Sequence, residues 1–273
     1  MTLLKRRKTL LGLVLSSVAA VGVGFNFGPS WVQAQARETL TMGTSPDYPP
    51  YEYYDTSSGQ EQIVGFDIDI ANYIAEELGF NLRVVGMDFS GLIPALQANR
   101  VDFVMAGMTP TEERKQNVDF SEVYFVAQNT IIAKAGSNLA TPADLAGKRV
   151  GVQLGTIQEE EAKGYAEADP SIDVRSLNKI GEIIQEIKAG RLDAAIIEDT
   201  VAAGFAASNP DLEFNVIPEA DPDAPRGSAI AFPKGSPRVA DFNRVLAEME
   251  ASGKMDELIV KWFGEDSPAL AAQ

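Results

Sequence analysis

Short apolar runs, each followed within a few residues by a capped stretch of helical periodicity, recur along most of this chain. That alternation constrains the fold more than any other feature. Strands alternating with helices are joined by right-handed crossovers, which predicts an α/β protein with parallel sheets. Ligands of such sheets bind beyond the carboxyl ends of the strands, so the chemistry is expected in the corners that follow the apolar runs.

One corner is built for an anion. Val101–Ala106 reads as a buried strand and leads into Gly107-Met108-Thr109-Pro110-Thr111-Glu112-Glu113-Arg114. Pro110 breaks the strand, Thr111 reads as an N-cap, and Glu112 and Glu113 occupy the first helical turn. Backbone N–H groups and the positive end of the helix dipole face outward there. The Thr109 hydroxyl and Arg114 guanidinium complete a site shaped for a small carboxylate, with charge-assisted bonds of about 1.5–3 kcal/mol each. The plainer alternative places Arg114 in a surface ion pair worth about 0–1 kcal/mol.

The geometry repeats. Arg149–Gln153 reads as a strand, and Leu154-Gly155-Thr156-Ile157-Gln158 leads into an acidic helix, offering a second set of outward N–H groups. The strand Ala194–Ile197 ends on Glu198-Asp199. Acids at the carboxyl end of a buried strand suit a cationic amine, although Asp199 reads first as the cap of the next helix.

Around these corners lie further elements. Glu38–Met42 reads as a strand, followed by Gly43–Tyr51, where Pro49 and Pro50 stiffen a loop presenting tyrosines. Asp55–Gly59 reads as a turn. Asp67 is expected to cap a helix carrying Ile70, Ile74 and Leu78, ended by Gly79, with Asp69 facing solvent. After the strand Leu82–Val85, Ser90 is expected to cap a helix carrying Leu92, Ile93 and Leu96. Beyond Ser121 the pattern restarts with a strand at Asn129–Ala133. Ile183, Ile184 and Ile187 mark a helix, and a turn runs from Pro218 to Gly227. Phe242, Val245, Leu246 and Met249 mark another helix, and Met255, Leu258 and Trp262 the last. The body reads as two α/β units with a C-terminal helical piece packed on one.

Composition excludes several chemistries. The 273 residues include no cysteine and no histidine, so a disulfide framework, a thiolate nucleophile, a Cys/His zinc site and a Ser-His-Asp triad are all ruled out. No spaced acidic calcium loop is visible, and neither metal nor cofactor is expected. Residues 1–36 read as a secretory signal peptide: Lys5, Arg6, Arg7 and Lys8, an apolar run from Thr9 to Phe27, then Ala34-Gln35-Ala36. Cleavage would leave an exported, periplasmic protein. The net charge of −16 becomes more negative without those four basic residues, which argues against nucleic acid and anionic membrane surfaces as partners.

Several ordered motifs run along the chain: Gly43-Thr44 with Tyr48-Pro49-Pro50-Tyr51-Glu52, Val64-Gly65-Phe66-Asp67-Ile68-Asp69-Ile70, Asp88–Leu96, Ala106–Thr109 with Glu113-Arg114, and Val118-Asp119-Phe120-Ser121. Gly147–Gln153 with Gly155-Thr156, Gly190–Ala194 and Lys261-Trp262-Phe263-Gly264 continue them. From about Leu40 to Gly264 the chain thereby resembles the extracytoplasmic amino-acid-binding proteins of ABC importers, the family 3 solute-binding proteins. The resemblance implies the type II periplasmic-binding-protein fold, α/β with two lobes, each a sheet flanked by helices, hinged by two crossing strands. Lobe 1 would comprise residues 37–126 and 227–273, and lobe 2 residues 127–226. It implies that Arg114 and Thr109, with the Gly107 backbone, hold a ligand α-carboxylate. Ile157 and Gln158 would complete that grip, Glu198 would bind the α-amino group, and Tyr48 and Phe89 would sandwich the side chain. Members that read a basic or amide side chain often carry an acid where this chain has Ser45. Here the acid stands at Asp47, facing either the ligand or solvent. The implied function is capture of a polar, basic amino acid by a monomer that delivers it to an ABC permease. Alternatives are a glutamine or other neutral polar binder, and a cyclohexadienyl-type dehydratase on the same fold.

Overall fold

The computed structural model describes residues 37–218 and 226–271, so the leader expected over 1–36 and most of the turn expected before Gly227 lie outside the described residues. In chain order the elements are β1 (Thr39–Thr44), β2 (Asp47–Tyr48), β3 (Glu52–Asp55), β4 (Gln62–Val64), α1 (Phe66–Leu78), β5 (Asn81–Gly86), α2 (Leu92–Gln97), β6 (Phe103–Val104), α3 (Glu112–Asn117) and β7 (Val118–Phe125). There follow β8 (Asn129–Lys134), β9 (Arg149–Gln153), α4 (Ile157–Ala168), β10 (Asp173–Leu177), α5 (Ile180–Lys188), β11 (Ala194–Glu198), α6 (Asp199–Ser208) and β12 (Leu212–Val216). The chain ends with β13 (Ser228–Pro233), α7 (Val239–Ser252) and α8 (Lys254–Phe263).

Two five-stranded sheets result, ordered β5-β1-β6-β13-β7 and β10-β9-β11-β8-β12, with β2-β3-β4 forming a small third sheet. They are mixed rather than parallel. β1 runs parallel to β5 and β6, and β9 runs parallel to β10 and β11. β13 is antiparallel to β6 and β7, and β8 to β11 and β12. The reason is connectivity. The chain passes from β7 in the first sheet straight to β8 in the second, with no helix to turn it back, and returns from β12 to β13. Strands entered without a crossover helix point the other way.

Alternation along the strands places helices on both faces. Phe103, Ile230 and Phe232 pack on one side of the first sheet with Ile70, Ile74 and Phe242, while Val104 and Ala231 pack on the other with Leu92 and Leu96. In the second sheet Ala195 and Ile197 meet Ile183, Ile184 and Ile187, whereas Ala194 and Ile196 meet Leu145 and Ala162. Each large apolar side chain so buried contributes about 1.5–3 kcal/mol.

Three local expectations are corrected. Asp67 does not cap α1, which starts behind Gly65 with no side-chain cap. Gly65 has φ 146°, and a Cβ there would lie 2.0 Å from the Tyr51 carbonyl oxygen, so the tight corner rather than a capping side chain sets the helix start. Asp67 instead lies buried in the first turn and accepts from the Gly107 N–H (3.0 Å) and the Tyr124 hydroxyl (2.8 Å). Ser90 does not cap α2 either. A 3-10 turn over Phe89–Gly91 precedes that helix and satisfies its entry backbone, with Gly91 N–H donating to the Asp88 carbonyl. Asp69 is drawn in from solvent by Lys261 Nζ (2.6 Å) and Trp262 Nε1 (2.8 Å), which fasten α8 to α1.

Candidate functional site

The carboxyl ends of strands from both sheets converge on one cleft. Ser45, Tyr48, Glu52, Phe89, Ala106, Gly107, Thr109 and Arg114 line it from the first-sheet side. Gln153, Thr156, Ile157, Gln158 and Glu198 line it from the second. Of the ten ligand-contact candidates, Ser45, Tyr48, Phe89, Gly107, Thr109, Arg114, Ile157, Gln158 and Glu198 are part of this lining, and Asp47 is not.

Arg114 is held as its corner dictates. Thr111 is the N-cap of α3, its hydroxyl oxygen accepting from the Arg114 N–H (3.2 Å). The side chain is 8% exposed and lies over the Phe89 ring, 5.4 Å from its centroid. Nη1 donates to the Thr109 carbonyl (2.9 Å) and Nη2 to the Gly155 carbonyl (3.0 Å). Burial lowers its pKa, opposed by the charges of Glu160 and Glu113, and the guanidinium stays charged. Among the described residues no carboxylate pairs with it, so the surface ion pair is not what the fold makes of Arg114. A buried, unneutralised cation favours an anionic ligand.

Gly107 requires a correction. It adopts φ 57° and lines the cleft, but its N–H is donated to Asp67, so that group is not free to grip a carboxylate. Free donors come from the second corner. Thr156 caps α4, its oxygen accepting from the Glu159 N–H (3.2 Å), which leaves the N–H groups of Ile157 and Gln158 at the helix start. The Gln158 side-chain amide is tied to Asn129 (2.8 Å).

Glu198 ends β11 and stands at the N-cap position of α6 without bonding its backbone. It is buried, and Oε2 has no hydrogen-bond partner. Burial lifts its pKa to about 7; the Tyr51 hydroxyl opposes that rise, and the charges of Asp199 and Asp67 add to it. Asp199 accepts from the N–H groups of Gln128 and Thr200 and takes no part in the lining. Tyr48 stacks on Tyr51, whose ring is fully buried, at 5.5 Å between centroids.

Asp47 takes neither position foreseen for it. Its Oδ1 accepts from the Ser45 hydroxyl (2.8 Å), while Oδ2 accepts from Gln153 Nε2 (3.2 Å) and the Ile180 N–H (2.9 Å). It bridges the two sides of the cleft.

Glu52, Ala106, Gln153 and Thr156 also line the cleft, although the sequence patterns gave them no part in the site. Glu52 is 0% exposed, neither carboxylate oxygen has a partner, and burial, reinforced by Asp67, raises its pKa well above the ordinary range. The readable signal was an acid inside the aromatic run Tyr51–Tyr54. Gln153 is the last residue of β9 and Thr156 the cap after it, both positions that the strand-end rule marks.

No helix among the described residues is long and apolar enough to cross a membrane. Residues 40–265 match the bacterial extracellular solute-binding proteins, family 3. An arginine-binding extracellular protein of Bacillus subtilis is 47% identical over 227 residues, 83% of this chain and 87% of that protein. An ancestral arginine-binding protein solved with arginine bound superposes with a TM-score of 0.77 at 38% identity, covering 84% of this chain and 100% of the other. An ancestral arginine-binding protein solved with glutamine bound gives 0.76 at 38% identity, covering 85% and 100%. The two sheets, the double crossing and the cleft between them are thus the type II periplasmic-binding-protein architecture, and the chain belongs to family 3 of the bacterial extracellular solute-binding proteins.

Proposed function

We propose that this protein captures a basic L-amino acid, arginine foremost, between two closing lobes and presents it to an ABC permease. The observation that carries this reading is that Arg114 and Glu198, both buried, line one cleft from opposite sheets. A guanidinium for an α-carboxylate and a carboxylate for an α-ammonium are the complementary pair that an amino-acid backbone demands. The lobes would be residues 37–126 with 227–273, and 127–226, hinged at the two crossings. Tyr48 and Phe89 supply aromatic walls, and Asp47 places an acid beside the cleft, where its ionised form favours a cationic side chain. The names of the arginine-binding relatives support the same choice. Because contacts from both walls coexist only when the lobes are closed, ligand shifts the population towards the closed form, whose shape the permease would recognise.

A micromolar affinity requires about −8 kcal/mol. A guanidinium clamp, helix-start amides, an acid–amine contact and two rings supply more than this in gross terms, and the surplus offsets closure and lost ligand freedom. A thermal-shift screen against the twenty amino acids, ornithine and citrulline tests the reading. Ligand at a hundred times its dissociation constant should add about 2.7 kcal/mol of stability, with arginine giving the largest shift. No shift with any amino acid sinks the proposal; a larger shift with glutamine moves it to the neutral polar class.

One observation favours a second reading. A carboxyl with a pKa of about 7 inside a cleft can serve as a general acid, as a dehydratase of cyclic keto acids requires. Phenyl-product release from prephenate or arogenate would establish that activity, and its absence leaves Glu198 as the amine's partner.

A further inference from the structure

The bridge made by Asp47 has a chemical consequence at its far end. Gln153 Nε2 donates to Asp47 Oδ2 and to the Asn178 carbonyl (3.0 Å). Both neighbours are acceptors, so the amide must present nitrogen to them, and both of its hydrogens are used. The carboxamide oxygen is left over. Gln153 is 3% exposed and lines the cleft together with a smaller adjoining pocket bounded by Ile180, Ile196 and Ile197. Among the described residues no donor reaches Oε1.

Asp47 itself is firmly placed. Ser45 donates to its other oxygen, and the Ile180 N–H reaches it from the start of α5, a nine-residue helix that no side chain of its own neighbourhood caps. An acid beside β1 therefore caps a helix beside β9. Beside it, Lys179 pairs with Asp88 (3.0 Å) across the same gap. Burial raises the Asp47 pKa, while the Ile180 N–H, the Ser45 hydroxyl and the Lys179 charge favour its ionised, acceptor-only form.

We propose that Asp47 is a positioning residue that acts through Gln153: by accepting from Nε2 when the two walls meet, it turns the carboxamide oxygen into the cleft as the acceptor for an N–H at the end of the ligand side chain. Selectivity at that end is then for donor-bearing groups, guanidinium or carboxamide. It is set by a neutral oxygen rather than by direct contact with an acid. The inference rests on the reading of the cleft as an amino-acid site.

Calorimetric titration of arginine into the wild type, Asp47→Ala, Gln153→Leu and the double variant tests it, with melting of each ligand-free protein to verify folding. Each single change should weaken arginine about tenfold or more. Because both act at one acceptor, the double variant should be at least about fivefold tighter than the product of the single losses. Asp47→Asn keeps an oxygen at the shared position, with Ser45 able to accept from its amide, and should return to within about threefold of wild type. Additive single losses, an Asp47→Asn variant as weak as Asp47→Ala, or a Gln153→Leu variant that binds like wild type would each overturn the proposal. If Asp47→Ala does not fold, Gln153→Leu and Asp47→Asn still decide it. A wild type that binds no amino acid strikes instead at the functional reading beneath.

Discussion

Arg114 Nη2 donates to the carbonyl of Gly155 across the cleft at 3.0 Å, so the guanidinium that would hold the ligand also joins the two walls. Recognition and closure would then share one side chain. Arg114→Ala should abolish the arginine-induced thermal shift while the fold survives, because the change removes both a charged clamp and a cross-cleft bond. Arg114→Lys keeps the charge but loses the planar fork, and a loss of ten- to a hundredfold in affinity is expected. Titration calorimetry on the two variants checks both outcomes; undiminished binding by Arg114→Ala would place the carboxylate elsewhere.

Phe89 lies under the same guanidinium. Removing the ring forfeits a desolvated cation–π contact worth about 0.5–2 kcal/mol, together with one wall of the cleft. Phe89→Ala should therefore weaken arginine about three- to thirtyfold, and Phe89→Leu, which restores apolar area alone, should recover only part. Dissociation constants for the pair separate the two contributions.

Glu198 imposes a pH dependence whose sign is fixed. The folded protein keeps this proton up to about pH 7, whereas an ordinary glutamate releases it near 4.5. Between those values the folded state binds more protons, so this group's contribution to stability falls as pH rises through the window and stays low above it. Glu198→Gln should be more stable than wild type at pH 8 by up to about 3 kcal/mol and match it near pH 4.5, as read by urea denaturation at the two pH values. Asp67, raised to about 6, adds a slope of the same sign. Binding of an amine to the ionised carboxylate should tighten with pH up to about 7 and release a proton; calorimetry in buffers of different ionisation enthalpy reads that release directly.

Gly65 carries the entry to α1, and through α1 the placement of Asp67 under Gly107. Any side chain at that φ is strained, and a Cβ would meet the Tyr51 carbonyl at 2.0 Å. Gly65→Ala should destabilise the fold by about 3 kcal/mol or more, measured by urea denaturation. A loss below 1 kcal/mol would show that the corner can relax.

Helix starts were legible where a side chain caps its own helix. Thr111 and Thr156 each sit next to the backbone they bond, and local spacing is all that such a contact requires. Asp67 misled for the opposite reason: its carboxylate is committed to Gly107 and Tyr124, forty and fifty-seven residues away, and no local pattern encodes that. Mixed strand direction was hidden similarly, because β7 and β8 look alike whether or not they share a sheet.

Local spacing was enough to read the alternating α/β elements, the strand-to-helix corner at Thr109–Arg114 and the acid ending β11, since each depends on residues a few positions apart. Packing between distant segments was needed to place Glu52 in the cleft without a partner, to commit the Gly107 N–H to Asp67, and to carry Asp47 across to Gln153 and Ile180. Those relations join residues as much as 133 positions apart. Burial and distance, not composition, settle whether a carboxylate meets solvent, ligand or protein.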